Sequence, residues 1–205
     1  MDMRSLIETN ELSLLRTTPG SYLGSCRYKL PEDLNDPVYP LLFNKFASHG
    51  IGYFFYIGGN DSMDTVSKLS RYAKKINSDI RFIGVPKTID NDIFGTDVTF
   101  GFHTAVDIAT DALDVASMVR EVAIDASVYD NKKSVTIVEI MGRHAGWLTA
   151  ASALARKYDG DNPRLIYLPE TAFDQEAFLK KVQEMLETTP NLVVCISEGI
   201  HDKNG

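Results

Sequence analysis

The sequence predicts an α/β protein in which parallel β-strands alternate with crossover helices. From Asp36 onward, helical and strand-like hydrophobic patterns follow one another along the chain, which is typical of such a fold. Several strand-like runs end in glycine and acidic residues, as strands do at a ligand-binding edge. With 205 residues, 44% hydrophobic and 24% charged, the chain has the composition of a globular protein of one or two domains.

Elements in the first half alternate between helix and strand. Residues 37–48 have a helical pattern that ends before Gly50, and the run GYFFYI at 52–57 predicts a buried strand. A second helix is predicted by apolar residues at spacings of three and four, and residues 80–85 form the strand after it. The apolar residues of this second helix are Met63, Val66, Leu69, Ala73 and Ile76.

A long helix opens the second half of the chain. Apolar residues recur at spacings of three and four between Phe100 and Ala126, and this length is sufficient to cross between two lobes. Beyond it, the patterns predict strands at 134–140, 165–168 and 192–197, with helices at 147–156 and 174–187.

Charge and composition exclude several classes of function. The net charge of −7 argues against nucleic acid as a partner, although a few local cations could still bind a small anionic substrate. The two cysteines, Cys26 and Cys195, lack metal-ligand spacing, and Cys195 is predicted to lie in the core. No apolar stretch reaches the length of a membrane span, and the N-terminus lacks the apolar core of a signal peptide. We therefore expect a cytoplasmic protein with no membrane partner.

The first polar cluster, GGNDSMD, follows the strand at 52–57. Gly58 and Gly59 lie where a strand gives way to a helix, so the backbone can approach a phosphate and direct helix N-terminal amides at it. Nearby aspartates would repel a bare phosphate, and a magnesium ion bound by carboxylate, water and phosphate oxygens would resolve this conflict. Helix capping is the alternative, because Asn60, Asp61 and Ser62 are good N-cap residue types.

The second cluster, KTIDND at 87–92, follows the strand at 80–85. A carboxylate held near a hydroxyl can act as a general base, and a second acid nearby can raise its pKa or hold a metal. Asp90 and Asp92 are two residues apart and would share one face of an extended segment. The alternative is a solvated turn, because Asp and Asn are common in turns.

The third cluster, MGRHAG at 141–146, follows the strand at 134–140. Gly142 lets the backbone approach a ligand, and Arg143 can bind a phosphate or carboxylate with its planar donor fork. His144 could act as a base, but we interpret it as a structural hydrogen-bonding residue, which a lone histidine at a strand end more often is. Glu198 follows the last strand, where ligand-binding residues of open α/β sheets gather, and a surface carboxylate is the alternative.

Six short motifs together resemble the phosphofructokinase family, in the same order and at compatible spacing. They cover nearly the whole chain, and TIDND with MGR is highly specific. The resemblance implies Rossmann-like three-layer sandwiches that form parts of two lobes, a phosphoryl-donor lobe at 1–127 and a sugar-phosphate lobe at 128–205. The motifs are LGSCR at 23–27, GGNDS at 58–62, PKTIDND at 86–92, MGRHAG at 141–146, LPE at 168–170 and SEG at 197–199.

The resemblance implies that a phosphoryl group is transferred to the C1 hydroxyl of fructose 6-phosphate, a step of glycolysis, with Mg²⁺ as cofactor. Asp90 matches the family's proton acceptor, and Thr88 and Asp92 match residues beside it. These three residues are therefore expected to contact the substrate.

Further motifs match the family's sugar-binding residues. Met141, Gly142 and Arg143 match the turn that binds the sugar phosphate, with Arg143 as a charge stabiliser. Glu198 matches the carboxylate that holds the sugar's hydroxyls, and Arg27 matches the arginine that reaches the transferring phosphates.

Two positions indicate the phosphoryl donor. ATP-using members carry GGDGS in the glycine-rich turn and usually a glycine before TIDND, whereas this chain has Asp61 and Lys87 at these places. An aspartate would repel the α-phosphate of ATP, and a lysine can neutralise a pyrophosphate leaving group. The chain is therefore similar to the pyrophosphate-dependent members, whose reaction is expected to be reversible.

Donor and metal binding are expected at the glycine-rich turn. Asn60 stands where family members normally carry the magnesium-associated aspartate, so the metal is expected at Asn60 and Asp61. The residues expected to bind the donor are Gly58, Gly59, Asp61, Ser62 and Arg27.

Two alternatives remain within the family. One is an ATP-dependent enzyme, and the other is a non-catalytic regulatory subunit, against which the intact Lys87, Asp90 and Arg143 argue. The family's opening donor loop and its C-terminal strands have no counterpart in the sequence. We therefore expect the chain to be part of a longer protein, to be inactive alone, and to form a homo-oligomer, a dimer or tetramer, when full length.

Overall fold

The computed structural model describes residues 11–18, 20, 28–125 and 133–205. The chain divides into two compact units. One consists of Met1–Tyr53 with Ser67–Arg81, and the other of Phe54–Val66 with Phe82–Gly205.

Aromatic packing forms the core of the first unit. Helix α1 (Val38–Ser48) packs against the C-terminal half of α2 (Asn60–Lys75). The ring of Tyr39 stacks on that of Tyr72 with centroids 5.0 Å apart, and Phe43 meets Tyr72 edge-on at 4.9 Å. This contact is expected from the apolar face that each amphipathic helix presents.

The two strands on either side of α2 in the sequence form a two-stranded sheet. Strand β1 (Tyr53–Gly58) pairs with β2 (Arg81–Pro86). Backbone hydrogen bonds at both ends keep the same residue offset, which shows that the strands run parallel. The bonds are Arg81 N to Gly52 O at 2.9 Å and Lys87 N to Gly58 O at 2.8 Å.

The expectation that residues 52–57 form a buried strand is wrong for one face. Burial alternates along β1, and Phe55 and Ile57 are 61% and 65% exposed. Side chains of a strand point alternately to opposite faces, and within the described part of the chain only one face of this sheet is covered.

The second sheet is three-stranded and parallel. Its strands are β3 (Ser134–Ile140), β4 (Leu165–Tyr167) and β5 (Asn191–Ser197), in the order β3-β5-β4. The register pairs Ile140 with Ser197, so β3 and β5 end side by side. Whatever follows these two strands is therefore brought together.

The core of the second unit lies between this sheet and α3 (Phe102–Asp125). Val106 and Leu113 of α3 belong to the same buried cluster as Val193 and Cys195 of the central strand. Cys195 has no exposed surface, as predicted, and burial raises the pKa of its thiol.

Two shorter helices complete the second unit. Helix α4 (Trp147–Ala151) tightens into a 3-10 helix at Ser152–Ala155, so the helix expected at 147–156 is regular only in its first half. Helix α5 (Gln175–Met185) begins after Asp174, whose side chain accepts a hydrogen bond from Ala177 N at 3.0 Å.

The predicted α/β class with parallel sheets is confirmed, whereas the division into lobes at 127 and 128 stays a prediction. Ser127 lies outside the described residues. No helix in the described ranges combines the length and apolar character that a membrane crossing requires.

Candidate active site

A cavity of about 470 Å³ in the second unit brings the three predicted clusters together. Its lining residues come from the first turn of α2, the segment after β2, and the segments after β3 and β5. They are Gly59, Asn60, Asp61, Ser62, Thr88, Asp90, Asp92, Arg143, His144 and Glu198. We call Asn60, Asp61, Asp90 and Asp92 the acidic wall, and Arg143, His144 and Glu198 the strand-end wall.

The glycine-rich turn places the start of α2 at this cavity. The amides of Ser62 and Met63 donate to Gly59 O at 3.0 Å, so the helix begins directly after β1. A Cβ atom at Gly58 would overlap Ser62 Oγ, which explains why glycine is needed there. Asn60 makes a long-range contact: its Nδ2 donates to Asp92 Oδ2 at 3.0 Å.

Residues 88–92 bend and form no strand, which fits the turn that the sequence left open as the alternative to an extended segment. Asn91 has a left-handed conformation with φ of +57°, which a non-glycine residue adopts at a cost. Its side chain compensates, because Oδ1 accepts from Thr99 N at 2.8 Å and Nδ2 donates to Asp97 O at 3.2 Å. Asp90 and Asp92 both line the cavity on either side of this residue.

Two further contacts fix the same turn. The backbone N–H of Asp90 donates to Thr88 Oγ1 at 3.1 Å, and Ile89 packs against the hydrophobic core of the second unit. The Ile89 side chain and the Thr88 hydroxyl thus hold the turn in place. The carboxylates of Asp90 and Asp92 line the cavity.

The acidic wall contains polar atoms without partners. Asp90 Oδ1 and Asp92 Oδ1 are buried and accept no hydrogen bond from the part of the chain that the structure describes. Buried carboxylate oxygens are normally hydrogen-bonded or bound to a metal, because burial without a partner is costly. Among the described residues no three His, Cys, Asp or Glu side chains form a metal-binding group by themselves. These oxygens nevertheless fit Mg²⁺, which keeps several waters and uses one or two carboxylates with substrate phosphates.

The strand-end wall is held by hydrogen bonds between the segments after β3 and β5. Gly142 N donates to Glu198 Oε1 at 3.2 Å, Ser197 Oγ donates to Gly142 O at 2.6 Å, and Glu198 N donates to Ile140 O at 2.9 Å. Gly142 has φ of +128°, and a Cβ there would lie 2.5 Å from Ala145 O. Only glycine fits this turn without strain.

Glycine is also required at two neighbouring positions. A Cβ on Gly199 would overlap Arg143 O, so the backbone after β5 touches the arginine's own carbonyl. Gly146 lies as close to the LPE motif, because its N–H donates to Glu170 Oε1 at 2.7 Å and a Cβ would lie 2.6 Å from Oε2.

Several predicted site residues do not line the cavity. Lys87 and Met141 are exposed, and Gly58 and Gly142 contribute backbone behind the lining residues. Arg27 lies outside the described residues. Conversely, His144 lines the cavity although we interpreted it as structural.

Four residues within the motifs were not predicted as part of the site. They are Asn91, Glu170, Ser197 and Gly199. Their effect is on the turns that carry the lining side chains. Two sequence signals could have indicated such residues. One is a polar residue at the end of a core strand, such as Ser197, and the other is a glycine directly after a candidate carboxylate, such as Gly199.

The charge of the lining is uneven. Among the described residues it includes four carboxylates, Asp61, Asp90, Asp92 and Glu198, and the guanidinium of Arg143. A polyanionic ligand could approach the acidic wall only with accompanying cations.

The phosphofructokinase family model matches residues 2–205. The chain belongs to the phosphofructokinase family. This confirms the resemblance seen in the motifs TIDND and MGR.

Named relatives are similar over nearly the whole chain. The pyrophosphate–fructose 6-phosphate 1-phosphotransferase of Xanthomonas campestris pv. campestris is 46% identical over 98% of this chain and 48% of its own length. An ATP-dependent 6-phosphofructokinase 2 of Streptomyces coelicolor is 34% identical over 97% of this chain and 52% of its own length. The chain spans about half the length of the curated relatives it matches.

A solved structure supports the fold assignment. The pyrophosphate-dependent phosphofructokinase from Marinobacter aquaeolei superposes with a TM-score of 0.80 at 39% identity, covering 99% of this chain and 48% of that one. The predicted phosphofructokinase fold is therefore confirmed.

Proposed function

We propose that the protein containing this chain transfers a phosphoryl group reversibly from pyrophosphate to the C1 hydroxyl of fructose 6-phosphate, giving fructose 1,6-bisphosphate and phosphate. The observation that carries the proposal is that Asp61, Asp90, Arg143 and Glu198 line the same cavity. Supporting it, relatives named for this reaction share 38 to 46% identity with the chain.

Asp90 is the proton acceptor in this proposal. As the C1 oxygen forms its bond to the phosphorus, the bridging P–O bond of the donor breaks, phosphate leaves, and the hydroxyl proton passes to the Asp90 carboxylate. Its unpartnered Oδ1 supports this role, because no competing donor occupies that oxygen. Thr88 fixes the backbone of the base, and Asp92 lies beside it.

Arg143 and Glu198 bind the sugar phosphate in the proposal. The guanidinium stabilises negative charge on the transferring group, and Glu198 accepts hydrogen bonds from the sugar's hydroxyls. One oxygen of Glu198 already accepts from Gly142 N, and a carboxylate has about four acceptor positions, so it can serve both partners. In this proposal, Met141 and Gly142 form the turn that leads from β3 into Arg143.

Mg²⁺ is the cofactor we propose, at the acidic wall. Asn60 and Asp61 would hold it, together with the unpartnered oxygens of Asp90 and Asp92. When bound, it would neutralise charge on the donor phosphates and allow them to lie beside the carboxylates.

Donor choice rests on Asp61 and Lys87 in this proposal. Asp61 lines the cavity and would repel the α-phosphate of ATP, whereas Lys87 follows β2 and is exposed. The glycine-rich turn and Ser62 would contact the donor phosphates, as would Arg27.

The remaining expectations belong to the same proposal. We infer a phosphoryl-donor lobe at 1–127, a sugar-phosphate lobe at 128–205, a cytoplasmic location, and a homo-oligomer of the full-length protein. Size-exclusion chromatography with light scattering tests the oligomer.

The test is a donor comparison with the full-length protein. Product formation from fructose 6-phosphate is measured with pyrophosphate and with ATP, each with and without Mg²⁺. We expect turnover with pyrophosphate and Mg²⁺, and release of pyrophosphate in the reverse direction. A clear preference for ATP would contradict the donor assignment, and absence of turnover with both donors would contradict the enzyme assignment.

A further inference from the structure

Ser197 is the last residue of β5, and its side chain has no exposed surface. It does not line the cavity, and a buried serine at a strand end usually only fills space. Here the hydroxyl makes two hydrogen bonds to separate turns. Its Oγ donates to Gly142 O at 2.6 Å and accepts from Gly199 N at 3.1 Å.

These bonds place the hydroxyl between the two segments of the strand-end wall. The carbonyl that it holds belongs to the peptide that leads into Arg143, and the amide that it holds follows Glu198. The same Gly142 residue is held from its other side, because its N–H donates to Glu198 Oε1 at 3.2 Å. Ser197 and Glu198 thus hydrogen-bond to the carbonyl and the N–H of Gly142.

The backbone conformation of Gly142 depends on these hydrogen bonds. It is buried and has φ of +128°, a conformation available to glycine but not favoured by a local hydrogen-bonding pattern. On the opposite side, the α-carbon of Gly199 lies against Arg143 O. Removing the hydroxyl would therefore leave the Gly142 carbonyl without the hydrogen bond from Ser197.

We propose that Ser197 is a positioning residue, whose hydroxyl fixes the distance between the Arg143 turn and the Glu198 carboxylate. The inference deepens the proposed function, on which it rests for its kinetic consequence. It assigns the effect to the hydroxyl and not to the size of the side chain.

The distinguishing experiment compares Ser197→Thr with Ser197→Val in the full-length protein. Threonine and valine have nearly the same shape, and only threonine keeps the hydroxyl. We expect Ser197→Thr to retain kcat/KM for fructose 6-phosphate within about threefold, and Ser197→Val to lose about tenfold or more. The KM for pyrophosphate should change less than about twofold in both, because the hydrogen bonds of Ser197 go to Gly142 and Gly199, which are not part of the acidic wall.

Ser152 provides a matched control. It is equally buried, and its Oγ donates to Thr149 O at the same 2.6 Å, but it does not line the cavity. Ser152→Ala should lower the unfolding temperature about as much as Ser197→Ala while leaving kcat/KM unchanged. Equal kinetic losses in both alanine variants would show that general destabilisation explains the effect and would overturn the proposal.

Hydrogen–deuterium exchange separates this inference from the proposed function. In Ser197→Val, amide exchange at Gly199 and across 142–144 should accelerate, and in Ser197→Thr it should match the parent protein. Parent protein that turns over no sugar phosphate would defeat the proposed function, yet the exchange comparison would still decide the positioning. Identical exchange and identical kinetics in the two variants would overturn it. Should the valine variant not fold, Ser197→Ala takes its place against Ser197→Thr.

Discussion

The acidic wall and the strand-end wall differ in how their polar groups are satisfied. In the acidic wall, Asp90 Oδ1 and Asp92 Oδ1 are buried without hydrogen-bond partners. In the strand-end wall, the backbone around Arg143 is hydrogen-bonded to Ser197 and Glu198, and both segments extend from paired strands. The acidic wall thus offers open acceptor atoms to cations, whereas the strand-end wall is already fixed by its own hydrogen bonds.

Replacing Asp90 in the full-length protein is the strongest test of the acidic wall. Asp90→Asn keeps the shape but cannot accept the proton, so we expect kcat to fall about 10²- to 10⁴-fold. The unfolding temperature should not fall, because the change removes the negative charge of a carboxylate that has a buried oxygen without a partner.

Asp111, which is exposed on α3, serves as the control for this substitution. Asp111→Asn should leave kcat unchanged. If Asp90→Asn keeps parental kcat while fructose 6-phosphate is still turned over, Asp90 is not the base.

The donor preference tests whether the acidic wall excludes ATP. Converting Asp61 and Lys87 together to glycine removes a repulsive carboxylate, and we expect the ratio of kcat/KM for ATP over pyrophosphate to rise about 100-fold. A like-charge contact costs several kcal/mol, and each 1.4 kcal/mol is about tenfold.

Asp64→Gly is the control, since Asp64 also lies in the first turns of α2 but does not line the cavity. A ratio that stays at the parental value in the double variant would locate donor choice elsewhere.

Gly199→Ala tests the rigidity of the strand-end wall. The added methyl group would overlap Arg143 O, so the turn must move. We expect a loss of about 1–3 kcal/mol in unfolding free energy, and a rise in KM for fructose 6-phosphate that exceeds the rise in KM for pyrophosphate.

Gly52→Ala is the matched control, because no atom lies within 4 Å of the added methyl group. Its unfolding curve and KM values should match those of the parent. Equal rises in the two KM values of Gly199→Ala would mean that the two walls are coupled and not independent.

The smallest effect is expected at Asn91, which supports the acidic wall from behind. Asn91→Gly keeps the left-handed conformation but loses both side-chain hydrogen bonds, so kcat should fall about tenfold with little loss of stability. Asn77, which also has a positive φ of 52° and is exposed, is the control. A kcat for Asn91→Gly as high as for Asn77→Gly would remove Asn91 from the support of the site.

Sequence patterns predicted the strands and helices of this chain closely, because hydrophobic periodicity reports burial directly. Strand β3 was predicted to the residue, and α1 and β5 within one residue, whereas for α2 the apolar spacing predicted the helix without its bounds. The 3-10 ending of α4 was not predictable, since the run at 147–156 is compatible with a regular helix. The exposed face of β1 was also missed, because an apolar run alone does not tell whether one or both faces are covered.

Candidate site residues were predicted where a side chain carries the chemistry. Asp61, Asp90, Arg143 and Glu198 follow strand ends, and the cavity brings them together. The left-handed Asn91 and the bridging Ser197 could not be read from spacing, because their contacts join residues that are distant in sequence or depend on a single backbone angle.

The register of β3 and β5 has a consequence for how the protein acquires its site during folding. The bonds that hold Gly142 connect it to residues 55 and 56 positions further along the chain, so they form only after a long loop has closed. A slip of one residue in β5 would turn every side chain of the strand, including that of Ser197, to the other face of the sheet. Binding of fructose 6-phosphate, the substrate that we propose, would then test whether β5 has paired in the correct register.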